Sequence, residues 1–330
     1  MEGNAGYTIY VEELVKMREK RIWKNYLTKF AARLEGGRLE NLKHIISKKE
    51  RLMRKHFGRR LIKARVNSRN FKNTLINLLA YSVFDTYYWK LKQKGSSTTI
   101  EFRKFRNTIR NLNDYLDEDL IYYSLKDECR YLSKLSRGEV EKIIMTLKYL
   151  AEVISRMKKR SLIHMANKLR EYVMFNVSRD LSESAFRRKA HYFGLLTSNK
   201  IADMTSAIEA IRLSISCLPK GGQYVANLFL YLATKVLKLW RVDVKSLLHS
   251  PLDNGISEVC LSLGLTDKRL ENFNYLSLHY EVFQRISEIL FPSDPSKMFT
   301  LRAIAERWCY NKDWKLCEQC WLTKICPREY

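Results

Sequence analysis

The sequence predicts an all-α protein, and three observations indicate that fold class. The chain of 330 residues contains only five prolines and twelve glycines, so few positions interrupt regular structure. Apolar residues recur at the i, i+3, i+4 and i+7 spacing that places them on one face of a helix, within residues 76–83 and again within residues 140–154. Alternation of apolar and polar residues, which is typical of a strand, is nearly absent. We therefore expect helices along the whole chain.

Composition and charge limit the classes of partner. Hydrophobic residues make up 46% of the chain and charged residues 29%, which is globular composition. The formal net charge is +25, and a surface this basic is typical of a protein that binds a polyanion or an acidic membrane surface. Residues 1–94 hold 23 Lys and Arg against 8 Asp and Glu. This excess ends at a small polar run over residues 94–99, and it predicts a basic helical N-terminal extension over 1–94.

Within that extension, residues 43–72 carry twelve Lys and Arg and a single acid, Glu50. Four of the cations recur at i, i+4 steps and would line one face of a helix: Arg51, Lys55, Arg59 and Lys63. Because one acid cannot pair with twelve bases, we favour a face that contacts DNA phosphates over an ordinary solvated surface. Nearby aromatic side chains could stack on bases, but we expect core packing for at least half of Tyr81, Tyr87, Tyr88 and Trp89.

The sequence also bears on compartment and on the role of the cysteines. No stretch approaches the roughly 20 apolar residues of a membrane helix, and residues 1–4 do not begin a signal-peptide pattern. We therefore expect a cytoplasmic protein that does not insert into a membrane. Thiols stay reduced in that compartment, so the seven cysteines favour metal or cluster ligation over disulfides.

Four cysteines near the end of the sequence follow the pattern C-x7-C-x2-C-x5-C: Cys309, Cys317, Cys320 and Cys326. Thiolates this close together would repel one another and oxidise unless a metal held them. Structural zinc sites usually present two C-x2-C pairs, whereas the unequal gaps here suit the four iron corners of a cubane. We favour a [4Fe-4S] cluster carried by a segment over 309–330, and Zn²⁺ stays the alternative.

The segment over 309–327 resembles the iron–sulfur loop of endonuclease III and its relatives, the helix-hairpin-helix DNA glycosylases, with one extra residue in the first gap. The resemblance implies that the cluster is structural and fixes a loop against DNA phosphate. It also implies that basic residues of this loop contact DNA, at Lys312, Lys315 and Lys324.

A second resemblance lies at residues 218–227, where Leu-Pro-Lys-Gly-Gly-Gln-Tyr-Val-Ala-Asn is similar to the hairpin of the same family. Such a Gly-rich turn between two helices exposes backbone N–H groups that can bind a phosphate. Upstream, residues 186–190 resemble a further family element, which contains Lys189. A lysine replaces the first glycine of the family motif. The resemblance implies that the hairpin contacts DNA through Lys220, Gly221, Gly222 and Gln223.

A third resemblance, over residues 251–265, keeps the acid of the family's catalytic motif as Asp253, while Gly255 and Glu258 stand at the family's His and Arg positions. It implies that Asp253 stabilises the sugar cation and activates water during base removal. From its sequence context Asp253 is also a candidate helix N-cap, and the two roles are compatible. The hairpin resemblance assigns Tyr224 to the position of the Schiff-base lysine of bifunctional members. A phenol cannot form that adduct, so we expect no β-lyase activity.

These features predict a helix-hairpin-helix glycosylase-like helical domain over 95–308 in a base-excision repair protein. We expect it to flip a damaged or mismatched base out of double-stranded DNA and to hydrolyse its N-glycosidic bond. Two alternatives stay open: a non-catalytic DNA-binding iron–sulfur protein of the same scaffold, and a zinc protein that binds RNA. No obligate protein partner is predicted.

Overall fold

The computed structural model describes residues 37–181, 189, 192–196, 200–240, 243–266, 269–270, 277–309 and 314–327. Every regular element within these ranges is helical, which confirms the prediction of an all-α protein. None of the helices in this part of the chain combines the length and the apolar character needed to cross a lipid bilayer.

The α-helices of the described ranges are numbered here in chain order. They are α1 Arg38–Lys63, α2 Phe71–Asp85, α3 Tyr88–Gln93, α4 Thr98–Thr108, α5 Glu118–Tyr123, α6 Arg137–Ser155, α7 Leu162–Tyr172, α8 Ser178–Asp180, α9 Met204–Cys217, α10 Gln223–Tyr231, α11 Asn254–Ser262, α12 Leu278–Leu290, α13 Thr300–Ile304 and α14 Trp314–Glu318.

Turns of other pitch extend or connect these helices. Short 3-10 turns lie at Asn113–Leu116, Leu132–Lys134, Lys245–Leu247 and Pro295–Phe299. Wider π turns directly continue α5, α7, α10 and α13, over Ser124–Glu128, Val173–Val177, Leu232–Val236 and Ala305–Cys309. The last of these carries the helical path of α13 without interruption to the first of the four C-terminal cysteines.

Polar residues cap most of the longer helices. The side chain of Asn70, for example, accepts a hydrogen bond from the backbone N–H of Lys72 at 2.8 Å and so begins α2. The same role falls to Ser97, Ser136, Ser161, Asp203, Asp253 and Ser277. In contrast, α10 begins at Gly222 without a side-chain cap, so the N–H groups of its first turn have no side-chain acceptor.

Helix α2 lies at the centre of the fold. Every residue from Thr74 to Asp85 is buried, which is typical of a core helix rather than a surface helix. It packs against α4, α6 and α10. Its last residue, Asp85, therefore places a buried carboxylate at the negative end of the helix dipole. Such a charge requires cationic partners.

Helices on both sides of residue 94 contribute to one hydrophobic cluster. Helix α1 packs against α13 and against the turn Leu232–Val236, and α2 packs against α6 and α10. The small polar run over 94–99 forms the turn between α3 and α4 and the first two residues of α4. Gly95 in this turn has a φ of +70°, and Ser97 caps α4. The segment before this turn and the body after it therefore share their core.

The aromatic side chains before this turn lie mostly inside the protein. Tyr81, Tyr87 and Tyr88 are buried, and Trp89 is half-buried. Tyr81 packs edge-on against Phe102, with the ring centroids 5.5 Å apart. The prediction that at least half of these residues pack in the core is confirmed.

The glycine-rich turn at 218–222 joins α9 to α10, and these two helices pack together. The ammonium of Lys189 donates hydrogen bonds to the carbonyl oxygens of Ser216 and Leu218, each at 2.7 Å, where a cation complements the C-terminal end of α9. A Cβ at Gly221 would lie 1.6 Å from the carbonyl oxygen of Ile215. Only glycine fits this position without a backbone shift.

We predict that Gly221→Ala lowers the free energy of unfolding by about 1–3 kcal/mol, because the added methyl group must displace a carbonyl. Urea denaturation of the full chain measures this change. Gly138→Ala is the matched control: Gly138 lies exposed in α6 with no atom within 4 Å of the added Cβ. Alanine favours a helix over glycine by up to about 1 kcal/mol, so the control keeps or gains stability. A Gly221→Ala protein as stable as the parent would contradict the close approach.

Candidate functional site

The two residues with predicted catalytic roles share one partner in the structure. Tyr224 stands in the first turn of α10, and Asp253 is the N-cap of α11. Arg302, from α13, donates through Nη1 to Oδ2 of Asp253 at 2.5 Å and also to the hydroxyl oxygen of Tyr224. Arg302 is 1% exposed. This guanidinium therefore joins Tyr224 and Asp253 inside the protein.

Asp85, at the end of α2, is the second acidic partner of this guanidinium. Its Oδ2 accepts a hydrogen bond from the hydroxyl of Tyr224 at 2.7 Å and another from Nη2 of Arg302 at 3.1 Å. Its Oδ1 accepts from Nη2 of Arg60 at 3.4 Å. The positive charges of two guanidinium groups thus compensate for the unfavourable free energy of a buried carboxylate at a helix C-terminus.

Glu306 connects the same two arginines on the other side. Its Oε1 accepts from Nε of Arg302 at 2.9 Å and from Nη1 of Arg60 at 3.3 Å. The ammonium of Lys92 donates to the backbone carbonyl of Glu306. We name the resulting set the buried charge cluster: Asp85, Asp253, Glu306, Arg60 and Arg302.

Burial and neighbouring charge act in opposite directions on the pKa values of the site. Burial raises the pKa of Asp253, and Arg302 lowers it only in part, so the net shift is upward. Burial acts in the same direction on Asp85, but Arg302, then Arg60 and the Tyr224 hydroxyl, hold the pKa of Asp85 below its ordinary value. Burial raises the pKa of Tyr224 well above its ordinary value. The phenol therefore stays protonated and donates to Asp85.

Both oxygens of the Asp253 carboxylate already accept hydrogen bonds. Oδ1 accepts from the backbone N–H of Ile256 at 2.9 Å, which confirms the predicted N-cap. Oδ2 accepts from Nε1 of Trp89 at 2.9 Å in addition to Arg302. The side chain is 12% exposed. These contacts hold the carboxylate in one orientation and leave a small part of it accessible.

Helix α3 supplies an aromatic cover to the buried charge cluster. The ring of Tyr88 lies 4.3 Å from the guanidinium carbon of Arg302, and the ring of Trp89 lies 5.3 Å from it; both are favourable cation–π distances. A Cβ at Gly255 would lie 2.1 Å from Cζ2 of Trp89. Position 255 therefore has no room for a side chain, because an indole occupies the space beside it.

On the outer side of the hairpin, Lys220 is held by an ion pair. Its ammonium lies 2.6 Å from Oε2 of Glu139, and its backbone N–H donates to Thr146 at 2.9 Å. The hydroxyl of Tyr87 donates to the same carboxylate oxygen at 2.7 Å. The hydrogen bond from Lys220 is the main cause that lowers the pKa of Glu139 to about 2. A DNA phosphate at Lys220 would therefore compete with Glu139.

Gln223 lies inside the protein rather than on the hairpin surface. Its Nε2 donates to the carbonyl oxygen of Leu252 at 2.8 Å, and its Oε1 accepts from the N–H of Leu252 at 3.4 Å. The side chain thus ties the start of α10 to the residue before Asp253. Among the described residues, the backbone N–H groups of Gly222 and Gln223 meet no acceptor. These two N–H groups lie next to the half-buried Gly221, and an anion could bind to them.

Over residues 51–63, the cations of helix α1 fall into two sets. Arg54 pairs with Glu50 at 3.3 Å, and Arg60 belongs to the buried charge cluster. The other set is exposed along one face and makes no ion pair within the described part of the chain: Arg51, Lys55, Arg59 and Lys63. This face is open to a polyanion.

The four C-terminal cysteines line one cavity, together with residues of α11 such as Val259 and Ser262. None of them forms a disulfide. Burial raises the pKa of Cys309 to about 12, and the charges of the other three thiols add to the rise. Residue type and shared cavity fit a thiolate-bound centre. In the described ranges, however, no group of three or more Cys, His, Asp or Glu side chains is arranged to hold a metal ion.

The basic residues of the cysteine loop are described in part. Lys324 is exposed. Lys315 lies in α14, but its side chain is outside the described part of the chain, as is the whole of Lys312. The loop also contacts α1, because Lys49 lies 4.5 Å from the ring of Trp321. The exposed face of α1 and the cysteine loop thus belong to adjoining elements.

Sequence reasoning missed the partners that hold Tyr224 and Asp253. Arg302 and Glu306 form an ordinary i, i+4 pair in the sequence, with nothing to mark them as buried. Asp85 did carry a signal in the sequence: it is the single acid of residues 71–93 and directly follows the largely apolar stretch 75–84. A carboxylate there must find cations, although the sequence does not say which ones.

No protein-family model, curated protein or solved structure matches the chain. The likeness to helix-hairpin-helix glycosylases therefore depends on the motifs at 218–227, 251–265 and 309–327 and on where the structure places their residues.

Proposed function

We propose that the protein is a monofunctional DNA glycosylase of the helix-hairpin-helix type, which hydrolyses the N-glycosidic bond of a damaged or mismatched base. The observation that supports this most directly is the meeting of Tyr224 and Asp253 at Arg302. Tyr224 comes from the helix after the glycine-rich turn, and Asp253, 29 residues later, begins a helix of its own. The side chain of Gln223 ties the two segments together.

In the proposed reaction Asp253 acts on the sugar of an extrahelical nucleotide. Its carboxylate stabilises the positive charge that develops as the bond to the base breaks, and it accepts a proton from the attacking water. The electron pair of the broken bond leaves with the base. Water is the nucleophile because Tyr224 offers no amine for a Schiff base. The hydrogen bond from Trp89 to Asp253 must be given up when substrate and water arrive.

We propose that three groups of this basic protein contact the DNA backbone. They are the exposed cations of α1, the N–H groups at the start of α10 and Lys324 of the cysteine loop. Backbone contacts of this kind position a duplex without reading its sequence. Their contribution falls with rising salt, since each contact releases counterions.

We further propose that Cys309, Cys317, Cys320 and Cys326 hold a [4Fe-4S] cluster, because four thiols line one cavity. When bound, such a group would fix the loop over 309–327. Cys309 ends the π turn that continues α13, and α13 carries Arg302. Ligation of Cys309 would therefore also anchor the helix that reaches Asp253.

A second candidate is a DNA-binding iron–sulfur protein that does not cleave. One observation favours it: both oxygens of Asp253 accept hydrogen bonds, from Ile256, Trp89 and Arg302. A carboxylate with this many partners is a weaker base for water. The two candidates share the scaffold and differ in whether Asp253 acts on a substrate.

Base release tests the enzymatic proposal. We predict that the anaerobically purified protein frees a base from at least one duplex carrying uracil, mismatched thymine or 8-oxoguanine. Asp253→Asn should lower the rate by at least about 100-fold, the usual contribution of a general base. The matched control is Asp243→Asn, because the Asp243 side chain is 75% exposed and pairs only with nearby Lys245 among the described residues. The control should keep the parental rate.

Two outcomes decide against this assignment. Binding to every duplex without any free base would favour the non-catalytic candidate. A covalent enzyme–DNA adduct trapped by borohydride would contradict the absence of β-lyase activity.

The exposed face of α1 makes a separate prediction. Replacing Arg51, Lys55, Arg59 and Lys63 together by glutamine should flatten the plot of log affinity for duplex DNA against log salt. The expected change in slope is about 0.9 for each phosphate contact removed. Fluorescence anisotropy over a salt series measures it. Arg285→Gln is the control, since Arg285 is exposed but pairs with Glu281 and Glu288. An unchanged slope in the fourfold variant would show that DNA does not contact α1.

The cysteine cavity predicts bound iron. Oxygen-free preparations should contain about four irons and about four sulfides per chain and absorb broadly at about 400 nm. Cys320→Ser should lose most of the iron, whereas Cys129→Ser, at a buried cysteine outside the cavity, should retain it. One zinc per chain and no iron would favour the zinc protein instead.

A further inference from the structure

We propose that Arg302 is a positioning residue, which keeps Asp253 ionised and fixes it relative to Tyr224, with Asp85 as its second counter-ion. This inference rests on the proposed function, because it assigns Arg302 a part in the same reaction. Nothing in the motifs at 218–227 or 251–265 points to Arg302, which lies about 50 residues beyond Asp253 in the sequence.

The geometry of Arg302 leaves no part of its guanidinium unused. Nη1 serves Asp253 and Tyr224, Nη2 serves Asp85, and Nε serves Glu306. The planar group also lies over the ring of Tyr88. Only the forked donors of arginine reach acceptors in these several directions at once. A lysine would supply the charge but not the orientation.

The charge balance around Asp253 depends on this one residue. Within the described ranges, Arg302 is the only cation at ion-pair distance from Asp253. Asp85 faces the same site from α2 and disfavours a second negative charge. Tyr224 from α10 is neutral and donates to Asp85, and Trp89 from α3 is a neutral donor to Asp253. Farther out, Arg60, Glu306 and Tyr88 surround Arg302.

Removal of the guanidinium should therefore raise the pKa of Asp253 further above its ordinary value. Withdrawal from water favours the neutral form of a carboxyl group, and the adjacent cation is the largest influence that opposes this, ahead of the hydrogen bonds from Ile256 and Trp89. A general base works in its ionised form. Arg302 would thus set the pH at which Asp253 becomes competent, without touching substrate itself.

The first test is the pH dependence of the rate of base release. In Arg302→Gln the acid limb of this profile should move upward by about 1–3 pH units, which is the effect of one adjacent charge. Arg302→Lys should move it less, because the charge remains. Asp85→Asn should move it downward, because a negative neighbour is lost. A residue with a merely structural role would lower the rate at all pH values and leave the limb in place.

The second test does not depend on activity. The ¹³C resonance of the Asp253 carboxyl, identified by its loss in Asp253→Asn, is followed through a pH titration of the full chain. We expect its midpoint to rise in Arg302→Gln and to fall in Asp85→Asn. If Arg302→Gln does not fold, Arg302→Lys and Asp85→Asn still bracket the parent from opposite sides. Equal midpoints in all folded variants would overturn the proposal. Shifted midpoints without any base release would instead retain the role of Arg302 and reject the glycosylase.

Discussion

A guanidinium enclosed by protein determines how several helices of this fold meet. Arg302 is withdrawn from water, and removal of an ion from water costs several kcal/mol unless partners replace the solvent. Its acceptors come from α2, α10, the start of α11 and the π turn after α13. Asp85 is under the same constraint as an anion: it is a buried carboxylate at the C-terminal end of a helix, where the helix dipole is negative. Each group is held in this position by charges from several elements, so these elements must pack together.

The local chemistry around Asp253 follows from this pairing. The carboxylate caps α11 with one oxygen and meets Arg302 and Trp89 with the other. The indole fits because Gly255 has no side chain, and the rings of Tyr88 and Trp89 shield the guanidinium from solvent. The N-cap of α11, Gly255 and the two aromatic rings are thus all arranged around the guanidinium of Arg302. Substrate access in the proposed reaction would require this cover to move.

Sequence reasoning captured what local patterns encode. Helical periodicity predicted the fold class, and context predicted the cap at Asp253; the structure confirms both. The i, i+4 cations of α1 are on an exposed face. Long-range pairing lay beyond the pattern: nothing local shows that Arg302 meets Asp85 across 217 positions. The side chain of Gln223 shows the same limit, because it faces Leu252 rather than solvent. Periodicity reports which face of a helix is apolar, but not which buried charges find each other.

A double-mutant cycle between Arg302 and Asp85, measured as free energies of unfolding in urea, tests the buried charge cluster most directly. Arg302→Gln removes one of the two cations that pair with Asp85, and Asp85→Asn removes one of the three acids that pair with Arg302. Each should cost up to about 3–5 kcal/mol. In the double variant both charges are gone. Its loss should therefore fall short of the sum of the single losses by more than about 1 kcal/mol. Losses that add to within about 0.5 kcal/mol would show that the two groups do not interact, and the cluster as described would be wrong.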